Sequence, residues 1–321
     1  MNRVFAKVDP LMLLILSAVV LAILLPARGD FADAFGTATN IAIALLFFLY
    51  GARLSPREAF DGVKNWRLHL VIIAFTFLFF PVLGVGFRPL EQVFGTELYL
   101  GILFLTLVPS TVQSSVAFTS IARGNVAGAI IAASLSNIVG VFLTPLLVMA
   151  LMSPTGEVHI DTSVFGKIAL QLLLPFIVGQ LCRPFVKNFA QKKGTKIVDR
   201  GSITMVVYAA FSDAMVNDIW TEVNLWQILG LIIFAIILVS FMLWVTRFSA
   251  QRLGFHEADT IAIQFCGTKK SLASGLPMAA VIFGGSQLGL LILPLMIYHQ
   301  VQLMVCTWLS SKYARRDPAA A

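Results

Sequence analysis

Apolar runs long enough to cross a lipid bilayer recur from one end of this chain to the other. The hydrocarbon core of a bilayer is about 30 Å thick and takes about 20 apolar residues as helix. A chain built of such runs can bury its backbone polarity only within each helix. The sequence therefore reads as an all-α polytopic membrane protein. It is 58% hydrophobic and 12% charged, against about 25% charged residues in soluble chains. A net charge of +7 would suggest nucleic acid in a soluble protein. Here the basic residues sit in short loops, where they orient spans, so the implied partner is the lipid bilayer and no nucleic acid.

Ten spans are expected, near 10–26, 36–52, 67–87, 97–122, 125–151, 164–183, 202–220, 223–246, 258–282 and 286–310. Trp66, Trp220, Trp226, Trp244 and Trp308 lie near their ends, as an aromatic belt would place them. Arg3 and Lys7 before Leu11–Leu25 have the charge order of a secretory leader, but Pro26-Ala-Arg-Gly is a poor cleavage site. That run is read as the first span. Loop charge alternates strongly. One set of loops holds clusters such as Arg53, Arg57, Lys64 and Arg67, or Lys187, Lys192, Lys193 and Lys196, and Lys312, Arg315 and Arg316 at the far end. The opposite set holds only Arg28, Arg88 and Lys167. The positive-inside rule then predicts cytoplasmic termini, an even number of spans and, for a bacterial-type topology, the cell (inner) membrane. Cys182, Cys266 and Cys306 are too scattered for a disulfide framework or a zinc site.

Ten spans suggest two five-helix halves, 1–155 and 156–321, which must enter the membrane from opposite sides. The fourth span of each half looks broken, at Pro109 and at Gly267. Interrupted helices at matching places in two halves point to a transporter's binding site.

Counted along each span at ~1.5 Å per residue, the polar residues converge near mid-depth: Thr76, Pro109–Ser115, Ser134, Ser136 and Asn137, Ser212 and Asp213, Thr268–Lys270, His299 and Gln300. The adjacent lysines, Lys269 and Lys270, stand out. Each costs about 2.5–3.5 kcal/mol at a helix centre on insertion scales. Asp213 is the natural counter-ion for one of them, since pairing lowers the cost of a buried charge. It can hardly serve both, because helix neighbours point ~100° apart. The other lysine either attracts an anion or exchanges protons.

At Pro109–Arg123 and Gly267–Ser271 the chain resembles the bile acid:sodium symporter superfamily, most closely its SBF-like branch. The resemblance covers essentially the whole chain. It implies two inverted five-helix repeats with crossing, broken helices 4 and 9. It also implies a panel of spans 1, 2, 6 and 7 moving against a core of spans 3, 4, 5, 8, 9 and 10, with sodium bound behind the crossover. The family's crossover, read as Pro-Gly-Gly-Thr-Ala-Ser-Asn and then Ala-Arg-Gly, is matched by Pro109-Ser-Thr-Val-Gln-Ser-Ser115 and Ala122-Arg-Gly124. The family's sodium-binding Ser-Asn pair falls on Ser114 and Ser115, a possible Na+ remnant. The other sodium positions have changed. The glutamate falls on Phe265, the glutamine on Lys269, the asparagine on Lys270, and the third-span glutamine on Thr76. The fifth-span hydroxyls fall on Ala129 and Ala133, with Ser134 one place off.

The expectation is a secondary transporter of a small organic anion, working by alternating access, with no cofactor beyond Na+ or H+ as coupling ion. Lys269 and Lys270 would supply positive charge. Thr111, Gln113, Ser114, Ser115 and Thr268 would supply hydrogen bonds. Thr76, Ser134, Asn137, Asp213, Ser271 and His299 complete the candidate site. A lysine ammonium is expected to replace a bound sodium and hold the crossover together. The alternative is a membrane regulator that keeps the fold without transport. No motif of an intramembrane enzyme is present.

Overall fold

A computed structural model describes residues 10–53, 65–152, 166–192, 194–218, 223–283 and 288–315. The 155/156 boundary and the residues Arg3, Lys7, Arg57, Lys64, Lys193, Arg316 and Trp220 lie outside this set. The described residues form helices joined by turns and extended breaks, with no strand among them.

In chain order the main helices are α1 Pro10–Leu24, α2 Gly29–Arg53, α3 Trp66–Gly86, α4 Thr96–Leu107, α5 Gln113–Ile121 and α6 Val126–Met152. They continue with α7 Gly166–Ala190, α8 Thr195–Val216, α9 Leu225–Arg252, α10 Glu257–Thr268, α11 Leu272–Ile282 and α12 Leu288–Ala314. Among the described residues six, namely α2, α3, α6, α7, α9 and α12, are long and apolar enough to cross a membrane. The fourth and ninth expected spans fall short of that length because each is split in two, into α4 with α5 and α10 with α11. Several boundaries move, among them those of the seventh span, which starts at Thr195, and of the eighth, which runs on to Arg252. The second span starts at Gly29, where Asp30 in the first turn suits the positive end of the helix dipole. The sixth runs on to Ala190, with Lys187 in its last turn, so part of the expected basic loop is helix.

The chain forms two compact units. One comprises residues 1–54, 160–223 and 276–290. Within it α2 packs on α7 and α1 on α8. Gly51 and Gly179 let the first pair approach closely. A Cβ on Gly51 would overlap the Phe176 carbonyl, and one on Gly179 would overlap the Phe48 carbonyl. Small residues at such crossings are how membrane helices gain packing without a hydrophobic driving force. Arg53 ties the same helices to α8, with Nη1 2.6 Å from the Asp199 carboxylate and Nε donating to the Ala190 carbonyl.

The other unit comprises residues 55–159, 224–275 and 291–321. Its apolar centre joins Leu68 and Ile72 of α3, Ala129 and Ala132 of α6, Ala250 of α9, and Ala262, Ile263 and Cys266 of α10. Alanine at these positions lets α10 sit close to α3, α6 and α9. That brings both helix breaks into one unit.

Candidate functional site

The first break follows from local chemistry. Val108 precedes Pro109, a position that disfavours helix, and it is extended at φ −77°, ψ 155°. The second break has no such cause. α10 continues through Gly267 to Thr268, and Lys269 is the extended residue, at φ −87°, ψ 147°. The expected break at Gly267 is therefore corrected by two residues. Gly267 instead admits Thr246 of α9, whose methyl would lie 3.2 Å from a Cβ there. By backbone geometry Val108 matches Lys269, and Pro109 matches Lys270 rather than Gly267.

Each break orphans helix carbonyls and amides, which in a bilayer must find partners inside the protein. The two breaks supply one another. Ser271 N–H donates to the Pro109 carbonyl at 2.7 Å, and the Ser110 hydroxyl donates to the Cys266 carbonyl at 2.6 Å. The last helical carbonyl on each side takes a hydroxyl from a long helix: Leu107 from Thr144 on α6, and Thr268 from Tyr298 on α12, both at 2.8 Å. Ser110 N–H donates to the Ser136 hydroxyl, and Asn137 Nδ2 donates to the Ser110 carbonyl. Asn137 Oδ1 accepts from Ser274, which also contacts the Ser271 hydroxyl.

Both lysine side chains are fully buried. The extended backbone sends them to different neighbours. Lys270 Nζ donates to three carbonyls, those of Thr76, Thr106 and Val108, at 2.9, 2.8 and 2.9 Å. It also stands 4.2 Å from the Phe80 ring centroid. All three ammonium protons are thereby used. The Thr76 carbonyl is free for a local reason. Phe75–Phe79 forms a π-helical turn, in which Phe80 N–H reaches back to the Phe75 carbonyl. The next bond in that register would come from Pro81, which has no N–H. Thr106 and Val108 lie at the open carboxyl end of α4, where the dipole also favours a cation.

Lys269 is treated differently. Its Nζ lies 3.8 Å from the Phe118 ring centroid on α5 and makes no hydrogen bond among the described residues. Among the described residues Lys269 is thus held by a cation–π contact and no hydrogen bond.

Several expected roles change. Asp213 belongs to the other unit, where its carboxylate accepts from Asn217 Nδ2. Within their own unit the two lysine amines meet backbone oxygens and aromatic faces. Thr76 contributes its carbonyl, while its hydroxyl turns back to Ile72. The Thr111, Ser114 and Ser115 hydroxyls bond one another, at 2.9 and 3.0 Å from Thr111. Gln113 is exposed at the start of α5, Ser134 is half-buried on α6, and the Thr268 hydroxyl meets that of Thr246. His299 Nδ1 lies 2.9 Å from the Gln302 amide nitrogen.

Gln302 is the residue that sequence reasoning passed over. Its Oε1 accepts from Lys270 N–H at 3.0 Å, and its Nε2 donates to the Lys270 carbonyl at 2.8 Å. It replaces the helix bonds that Lys270 gave up. A glutamine in an apolar run, one turn from His299, was the available signal. Gln302→Leu leaves two buried backbone groups unpaired, at roughly 1–3 kcal/mol each. The expected result is a Tm fall of about 5 °C in detergent. An unchanged Tm would show that the clamp contributes nothing.

Comparison with known proteins follows the same lines. The SBF-like CPA transporter family matches residues 9–315. A protein of Pseudomonas aeruginosa is 49% identical over 317 residues, covering 98% of this chain and 95% of its own length. The Escherichia coli (strain K12) protein named "Putative symporter YfeH" is 46% identical over 317 residues, with the same coverage of 98% and 95%. Sodium/bile acid cotransporter 7 of Rattus norvegicus is 33% identical over 275 residues, 84% of this chain and 81% of its own.

Proposed function

Because the chain belongs to the SBF-like CPA transporter family, we propose that it moves a small organic anion across the cell membrane by alternating access. The observation that carries this reading is the Lys269 amine, buried at the junction of two broken helices with no hydrogen-bond partner among the described residues. A charge so placed is costly unless it serves a ligand or an ion path. The matched ends of α4 and α10, each capped from a long helix, support the reading of two inverted five-helix halves. The alternation of loop charge supports cytoplasmic termini. The family and the names of its relatives point to transport and not to catalysis.

The test is uptake into proteoliposomes of a panel of organic acids, across sodium and pH gradients. At least one acid is expected to accumulate saturably. Replacing sodium by choline is expected to leave that uptake in place, since an ammonium over Phe118, on the same helix as Ser114 and Ser115, disfavours a second cation there. A steep loss in choline would reject sodium independence, and no uptake or exchange of any acid would reject the transporter.

A further inference from the structure

The three oxygens around Lys270 come from three separate accidents of backbone: a π turn ahead of Pro81, the open end of α4, and the extended Val108. Each is a carbonyl without its helical N–H, and unsatisfied carbonyls inside a membrane protein cost several kcal/mol apiece. Together they point at one spot, at 2.8–2.9 Å from Nζ. The Phe80 ring closes a further side at 4.2 Å. Rings of backbone carbonyls are how membrane proteins build sites for monovalent cations.

We propose that these carbonyls form a monovalent-cation site of which Lys270 is the tethered occupant. The side chain has made permanent a cation that would otherwise have to bind from solution. Three oxygens match the three N–H bonds of a primary ammonium. They fall short of the shell of six or more oxygens that a hard metal ion such as calcium takes. The site therefore prefers an alkylammonium to bare sodium. Removing the tether should leave a cavity with the shape of what was removed. Lys270→Ala deletes three methylenes and the amine, which together are propylammonium.

This inference goes beyond the transport reading, and its readout is stability, so either can fail without the other. Lys270→Ala, Lys270→Met and the unaltered protein are solubilised and purified in parallel in propylammonium, sodium or choline chloride. The unaltered protein is expected to show one Tm in all three salts. Lys270→Ala is expected to lose about 10 °C in choline, with several-fold less monodisperse protein, and to regain at least half of that Tm loss in propylammonium. Lys270→Met fills the cavity without a charge, and is expected to stay at the lower Tm in every salt. The proposal is overturned if Lys270→Ala behaves alike in all three salts, including failure to fold in any of them. It is equally overturned if Lys270→Met matches the unaltered protein.

Discussion

Lys269→Met is expected to make the protein more stable and to stop it transporting. The amine is fully buried and, among the described residues, rests on the Phe118 ring without a hydrogen bond. Exchanging a poorly compensated buried charge for an apolar chain of similar length commonly stabilises by about 1–4 kcal/mol. Tm should rise by a few °C, read by dye-based scanning in detergent. Uptake of the acid found with the panel should fall on the order of a hundredfold, the usual scale for deleting one partner of a buried charge contact. The opposite signs of the two effects separate a binding role from a structural one. A variant that transports normally, or one that melts several degrees lower, would remove Lys269 from the site.

Gly51→Leu should clearly destabilise the folded protein. The Cβ alone would overlap the Phe176 carbonyl, and backbone cannot swing aside as a side chain can. The crossing of α2 and α7 would have to open, separating the residues that pack there, Leu49, Ala52 and Ala190. Overpacking of this kind costs about 1–3 kcal/mol in soluble cores and more where backbone is the obstacle. Tm should drop by about 5–10 °C, and Gly179→Leu should behave alike because it meets the Phe48 carbonyl in the same way. Either variant purifying with unchanged Tm would mean that the crossing is looser than described.

The break at Val108 was legible because Pro109 acts locally on the residue before it. The break at Lys269 was half legible. Two lysines in an apolar run announced that something happens there, but no proline or glycine marks the residue that unwinds. Gln302, Pro109 and Tyr298 mark it, by taking over the bonds of Lys270, Ser271 and Thr268. Asp213 shows the limit of arguing from depth. Distance along a helix axis ranks residues by level but says nothing about which helices are neighbours. In the fold its carboxylate bonds one turn away on its own chain.

The amino-acid sequence by itself determined that this chain spans a membrane as helices and carries two amines deep inside it. Hydropathy, loop charge and proline act through solvent and through adjacent residues, so they can be read without coordinates. Only the tertiary structure decided what those amines meet: three carbonyls for Lys270 and a phenyl face for Lys269. Backbone carbonyls are the same in every residue. Which of them lose their helical partner, and where they then converge, depends on how separate helices break and pack.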